Sequence, residues 1–302
     1  MMIKICFIIH GKSTNKVSLS GKLKKTFDAN NFIVKIIETE YASHAILLTE
    51  SVVNEGFTII VACGGDGTLN EVVNGVMNVG NESVKVCLLP NGSGNDFAKT
   101  IIPTQTIESL KEAILTGSIK KIDVGLATFK DKNGQQASRY YINITDVGIG
   151  GVIAKELFYA SRFFGATLTY QYFILKNFIT YRPQNIIVKG DDFVYESKVM
   201  NFCAANGKFF GSGLGIAPEA KVDDGLIEAV AIGDVNLIDY FLNFPKIKRC
   251  ERLTHKAVKY FKSKSLSFES ESANTPIDMD GEFVGYLPMS ITVKHKSINF
   301  IV

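Results

Sequence analysis

The chain of 302 residues is long enough for two domains of ordinary size and a substantial core. Apolar residues make up 46% and charged residues 21%, and 33 Lys and Arg against 30 Asp and Glu leave a net charge of +3. That balance excludes a disordered tail, a collagen-like rod and a small disulfide scaffold, and it does not suit a nucleic-acid binder.

No apolar run approaches the ~18 residues that read as a membrane span. Cys6, Cys63, Cys87, Cys203 and Cys250 are odd in number and form no C-x-x-C pair. Most sit in apolar runs, so they are expected as reduced core residues and not as zinc ligands. The apolar run 5–9 is too short for a signal peptide and reads as a strand, which predicts a cytoplasmic protein.

In chain order, 3–9 reads as a strand, 19–29 as a helix and 32–38 as a strand. Residues 42–54 follow as a helix and 58–63 (TIIVAC) as a buried strand. Leu69, Val72, Val73 and Val76 recur at helical spacing over 69–77; 84–89 is another strand and 97–101 opens another helix. This alternation predicts an open, mostly parallel α/β sheet for residues 1–125.

Beyond Asp123 the pattern changes. Segments 140–144, 185–188, 193–205, 225–232, 266–270 and 290–293 read as strands, several too closely spaced for helices between them. Residues 152–181 read as helical, as do 235–244 with 247–252, and Lys130 to Ser138 holds an Asn-Gly turn signal. Residues 126–296 are therefore expected to form a β-rich, sandwich-like domain, while a last strand at 297–301 could return to either sheet.

Chemistry concentrates at two glycine-rich turns. Gly64-Gly65-Asp66-Gly67-Thr68 joins the strand TIIVAC to a helix. Its glycines allow backbone N–H groups to approach a phosphate, the helix supplies a positive end, and Thr68 is placed to cap it. The turn is neither a Walker A loop nor a G-x-G-x-x-G. Leu89-Pro90-Asn91-Gly92-Ser93-Gly94-Asn95-Asp96-Phe97-Ala98 follows the next strand. Two such loops lining one crevice suit a nucleoside triphosphate.

GGDGTLNEVVNG and LPNGSGNDFA resemble the catalytic domain of the diacylglycerol, sphingosine and ceramide kinase superfamily, and most closely the soluble bacterial diacylglycerol-kinase-like and YegS-type lipid kinases. The early HGKST fits the same group, so the matching elements run from Ile3 to Glu282. The resemblance implies an ATP-dependent lipid kinase whose reaction takes place between an α/β domain and a β-rich domain. It implies ATP contacts from Thr39, Gly64, Gly65, Asp66, Gly67, Thr68, Leu69, Asn70 and Glu71, with Asp66 also catalytic. Ser93 stands where some relatives carry Thr and keeps the hydroxyl.

Ala217 to Leu226 (APEAKVDDGL) resembles the family's structural magnesium loop. There the Asp224 carboxylate and the carbonyls of Lys221 and Leu226 would hold Mg²⁺ through hard oxygen donors. Asp278-Met279-Asp280-Gly281-Glu282 resembles the family's D-G-E motif, which implies Glu282 as general base with Asp280 in support. Where many relatives carry Asn-Pro before the first turn, this chain has Ile9-His10, so His10 is expected near the nucleotide without catalytic duty. His44, His255 and His295 share no ligand spacing and read as surface or packing residues.

Two features bear on the partner. Residues 158–181 are crowded with aromatics, as ordinary helical core or as an acyl-chain wall. Residues 246–264 hold eight Lys or Arg and one acid, as a solvated face or as a patch for an anionic membrane surface. The expected partner is a lipid substrate at such a surface, met peripherally. A superfamily kinase acting on a soluble acceptor such as NAD, or a nucleotide-binding protein without turnover, are the other readings. Intact Asp66, Asp224 and Glu282 count against the last.

Overall fold

The computed structural model describes residues 2–27, 31–92, 94–101, 106–160, 166–272 and 274–302. The chain divides into two compact units, Met1–Val124 with His295–Val302, and Gly125–Lys294.

The first unit opens with β1 (Ile3–Ile9), α1 (Lys16–Phe27), β2 (Phe32–Glu38) and α2 (His44–Asn54). It continues with β3 (Ile59–Gly64), α3 (Asp66–Val79), β4 (Lys85–Pro90), α4 (Asp96–Ile101) and α5 (Ile107–Thr116). Strand β5 (Ile119–Asp131) leaves it and runs on into the second unit. Strands β4, β3, β1 and β2 lie side by side in that order, all parallel.

A parallel strand covered on both faces must be apolar at every position, not at alternate ones. This is why Ile5–Ile9 is fully buried and why TIIVAC has no polar face. On α1, Leu19, Leu23 and Phe27 fall on one face, and Phe27 meets Phe7 and Phe32 at ring distances of 5.0 and 5.2 Å. Helix α5 was not anticipated, although Ile107, Leu110 and Ile114 share a face and Thr106 closes a capping box with Ser109.

The second unit adds β6 (Gln136–Tyr141), β7 (Ile144–Gly148), α6 (Ile149–Tyr159), α7 (Ala166–Thr180), β8 (Gln184–Lys189), β9 (Val194–Val199) and β10 (Asn201–Ala205). Then come the short β11 (Phe209–Phe210) and β12 (Leu214–Gly215), β13 (Ile227–Ile232), α8 (Leu237–Lys248), β14 (Val258–Ser263), β15 (Ser265–Ser270), β16 (Pro276–Met279) and β17 (Glu282–Ile301). Its main path is β14-β13-β10-β7-β16-β17, then β15, β8 and β9. Along that path neighbouring strands among the described residues pair antiparallel. The core beneath it gathers Phe202, Phe268, Ile277, Met279 and Leu287.

Several expected elements are corrected. The strand expected at 140–144 straddles the turn between β6 and β7, and that expected at 193–205 is two strands broken at Met200. The helical segment 152–181 is α6 and α7, with 161–165 outside the described residues. The strands expected at 290–293 and 297–301 are parts of β17, whose last residues rejoin the first unit, with Asn299 and Phe300 parallel to Lys85 and Val86. No helix among the described residues is long and apolar enough to cross a membrane.

Candidate active site

In the first unit, β1, β3 and β4 are neighbours and parallel, so the turns that follow them emerge at one end of the sheet. The turns after β3 and β4 touch backbone to backbone. Asn91 N–H donates to the Gly64 carbonyl at 2.9 Å, and a Cβ on Gly92 would stand 2.5 Å from the Gly65 Cα. Only glycine fits at that approach.

Asp66 fastens the contact. Its two carboxylate oxygens accept the N–H groups of Phe97 (3.0 Å) and Asp96 (2.9 Å), which open α4. Burial pushes the Asp66 carboxyl above its ordinary range, and these two hydrogen bonds pull against that shift. Asn95, at φ +49°, closes the second loop on itself by accepting from Gly92 N–H and donating to the Gly92 carbonyl. Lys99 ties the same loop by donating to the Gly94 carbonyl and to Asp96. Ser93 lies outside the described residues.

The remaining expected nucleotide residues divide by where their side chains go. Thr68 is buried and folded against Gly64, and α3 begins at Asp66 with Gly65 as N-cap, so Thr68 does not cap it. Leu69 and Asn70 are buried inside the unit. The Glu71 carboxylate accepts the N–H groups of Ser43 (2.8 Å) and Ala45 (2.9 Å) and thereby caps α2, whose own Ser43 makes no capping bond. Thr68 thus packs into the turn, Leu69 and Asn70 into the interior, and Glu71 ties α3 to α2. The Thr39 hydroxyl accepts Gly11 N–H at 3.0 Å and steadies the turn after β1. That turn is also joined to the one after β4, because the Asn91 side-chain amide donates to Ser13 and Asn15. Sequence reading missed this link, which no local pattern signals. His10 donates its backbone N–H to the Cys63 carbonyl.

The second unit presents the D-G-E segment as the two-residue turn between β16 and β17. Asp280 and Gly281 both have positive φ, +50° and +85°, as a tight hairpin of the I′ kind requires. The buried Asp280 carboxylate accepts three backbone N–H groups, from Ile142 (2.9 Å), Asn143 (2.9 Å) and Ile144 (3.0 Å). It holds the turn between β6 and β7. Glu282 opens β17, its side chain 39% exposed, and Oε2 takes a 2.8 Å ion pair from Arg139 on β6. Arg139 was not anticipated, since 143 residues separate it from Glu282 in sequence. Beside them the Lys132 ammonium stands over the Phe158 ring, and desolvation lowers its pKa.

Asp146 was not anticipated, and Asp278 was named in the D-G-E segment without a role. Asp146 on β7, which is buried, and Asp278 on β16 are paired in register across the two strands. Burial raises both pKa values, that of Asp146 to about 7.

In the loop 217–226, Ala217, Ala220 and Val222 are buried anchors, and Asp224 Oδ1 accepts Leu226 N–H at 3.1 Å. Among the described residues no three His, Cys, Asp or Glu side chains gather as a metal site. An ion here would rest on one carboxylate and backbone carbonyls, an all-oxygen set that fits Mg²⁺ in kind. The basic stretch is partly neutralised, because Arg249 pairs with Glu251 and Arg252 with Glu219. Of the aromatic segment, Phe173, Phe178 and Tyr181 pack against Ile149, Ile153 and Met200, while Phe158 and Tyr159 are exposed. Phe163 and Phe164 lie outside the described residues.

Residues 4–127 match the diacylglycerol kinase catalytic domain, and residues 145–302 match the YegS C-terminal NAD kinase beta sandwich-like domain. A diacylglycerol kinase of Staphylococcus carnosus is 26% identical over 92% of this chain and 87% of its own length. One of Bacillus subtilis is 25% identical over 96% of this chain and 92% of its own. A crystal structure of a diacylglycerol kinase from Bacillus anthracis superposes with a TM-score of 0.70 at 20% identity, covering 99% of this chain and 96% of that one. With both halves matched, the second over more than half its length, the chain belongs to the YegS-like family of diacylglycerol-kinase-type lipid kinases.

Proposed function

We propose that the protein is an ATP-dependent lipid kinase that phosphorylates the hydroxyl of diacylglycerol or of a closely related lipid. The observation that carries this reading is the pair of glycine turns held together by Asp66. A cradle of backbone N–H groups at the start of the 14-residue α3 suits the phosphates of a nucleotide.

Glu282 acts on the acceptor. Arg139 holds Oε2, and Oε1 takes the proton of the lipid hydroxyl. The hydroxyl oxygen bonds to the γ-phosphorus as the bond from that phosphorus to the β–γ bridging oxygen breaks, and ADP leaves. Asp280 takes no proton, because three N–H groups occupy its oxygens; it fixes the turn on which Glu282 stands. Mg²⁺, where bound, would rest on Asp224 and the carbonyls of Lys221 and Leu226 and would supply positive charge that steadies the loop. A cavity of about 530 Å³ in the second unit, lined by Val152, Tyr159, Phe173 and Pro276 with Lys155 and Glu156 among its polar groups, is of a size for a small ligand or part of a chain. Because a diacyl lipid stays in the bilayer, the enzyme meets it at an anionic membrane surface, with lysines of 246–264 toward the headgroups.

The test is transfer of label from [γ-³²P]ATP to a panel of lipids in mixed micelles, with NAD as control. Labelled diacylglycerol or a related lipid is expected. Labelled NADP with no labelled lipid would overturn the reading.

A further inference from the structure

Helix α8 is apolar on two opposite sides, and the second unit covers only one. Tyr240, Phe244 and Ile247 lie at i, i+4 and i+7 on the inward side. Ile247 is buried in a core cluster with Val258 and Leu253, Tyr240 packs against that cluster and meets Phe178 at 4.8 Å, and Phe244 meets Tyr240 at 5.5 Å. On the other side, Ile238, Phe241 and Leu242 are 69%, 59% and 74% exposed. Single exposed apolar residues need no explanation, but three on one face of one helix form a surface with something to meet.

The helix is firmly built, which makes that exposure a property of a fixed surface. Asn236 accepts the N–H groups of Ile238 and Asp239, and Asp239 accepts Asn236 N–H in return. This box also turns the helix's one acid to capping. At ~100° per residue, Lys246 and Lys248 fall on the two flanks of the stripe formed by Ile238, Phe241, Leu242 and Pro245. An apolar ridge between lysines is the pattern of a helix lying in the plane of a membrane interface, its side chains among the acyl chains and its ammonium groups reaching anionic headgroups.

We propose that α8 is an interfacial anchor whose Ile238, Phe241 and Leu242 insert into a leaflet bearing anionic lipid. This rests on the lipid-kinase reading for its purpose, but binding can be measured without turnover.

The chain holds no Trp, so Phe241→Trp gives a single fluorophore on the ridge. Its emission is expected to shift to the blue with vesicles of phosphatidylcholine containing phosphatidylglycerol, and to stay unchanged with phosphatidylcholine alone. In co-sedimentation with the same vesicles, the double variant Phe241→Ser/Leu242→Ser should lose about 100-fold in partitioning at any salt concentration. Lys246→Gln/Lys248→Gln should lose about 10-fold at low salt and little at 1 M, where the Debye length is ~3 Å. The Ser variant should keep wild-type activity on a short-chain diacylglycerol in solution. Wild-type partitioning of the Ser variant, or an unmoved Trp emission, would overturn the anchor. So would a wild-type dimer that the Ser variant breaks without any vesicle binding, which would make the ridge an interface between copies. A wild-type protein that binds vesicles but phosphorylates no lipid, short-chain or long, would instead overturn the lipid-kinase reading and leave the anchor standing.

Discussion

Asp66 in the first unit and Asp280 in the second sit in similar glycine-flanked motifs and do the same kind of work. Each carboxylate gathers backbone N–H groups of a neighbouring turn, two in one case and three in the other. Glu282, two residues beyond Asp280, meets a side chain instead, at one oxygen only, and stays partly exposed. A buried carboxylate fully occupied by N–H donors is a fastener, because moving it leaves those donors unpaired. A carboxylate with an oxygen to spare can exchange a proton. The first unit thus offers two glycine turns fastened by an acid, which the proposed function reads as a phosphate cradle, and the second offers one acid set apart from its fasteners.

Replacing Glu282 should have the largest effect. Glu282→Gln keeps the shape and removes the basic site, so kcat should fall by roughly 10²–10⁴-fold while the ATP dissociation constant and Tm hold. A near-normal kcat would place the base elsewhere and erase the distinction between Glu282 and Asp280. Next comes the backbone cradle. Gly92→Ala puts a methyl group against Gly65, and ATP affinity measured by calorimetry should fall about 100-fold with far less change in Tm. Unchanged affinity would mean that no phosphate depends on this approach.

Asp280→Asn tests a fastener. An amide cannot accept at all three positions, so stability in urea should drop by about 3 kcal/mol, with kcat falling only as the turn loosens. A variant with full stability and lost turnover would make Asp280 a reactant and not a fastener. The smallest effect belongs to Asp146 and Asp278. The folded protein keeps a proton there that the unfolded chain releases at its ordinary carboxylate pKa, near 3.8, and the Asp146 pKa is pushed up to about 7. The stabilising contribution is therefore complete below about pH 4 and is lost as pH rises toward 7. Asp278→Asn should flatten that fall and gain about 1–2 kcal/mol over wild type at pH 7, read as Tm against pH. An unchanged slope would mean that burial of Asp278 does not contribute to that fall.

What could be read from residues alone follows from the same contrast. The α/β unit was legible because its buried parallel strands demand unbroken apolar runs such as Ile59–Cys63, and its turns demand glycine at Gly65 and Gly92. The second unit was less so. Its antiparallel strands are joined by short turns that leave little punctuation, so the break at Met200 and the short β16, which begins at Pro276, passed unseen. The charges of Lys259 and Lys262 drew β14 into a basic stretch, although its alternation was there to find. The glycine turns were read from their own residues, and the role expected of Glu282 came from the family motif. Arg139, the Asn15–Asn91 link and the pairing of Asp146 with Asp278 depend on register across distant strands, which no window of sequence contains.

The course of β17 bears on how the protein is made. Its end, from His295, belongs to the first unit, where Ile301 accepts a weak hydrogen bond from the Cys87 thiol 214 residues earlier in the chain. On a ribosome, β1 to β4 emerge long before that partner, and β4 waits with an open edge while the whole second unit is translated. Such an edge invites pairing with other nascent chains. The first unit therefore reaches its final form only after the second has been synthesised, and a stalled or shortened product would carry an unfinished sheet.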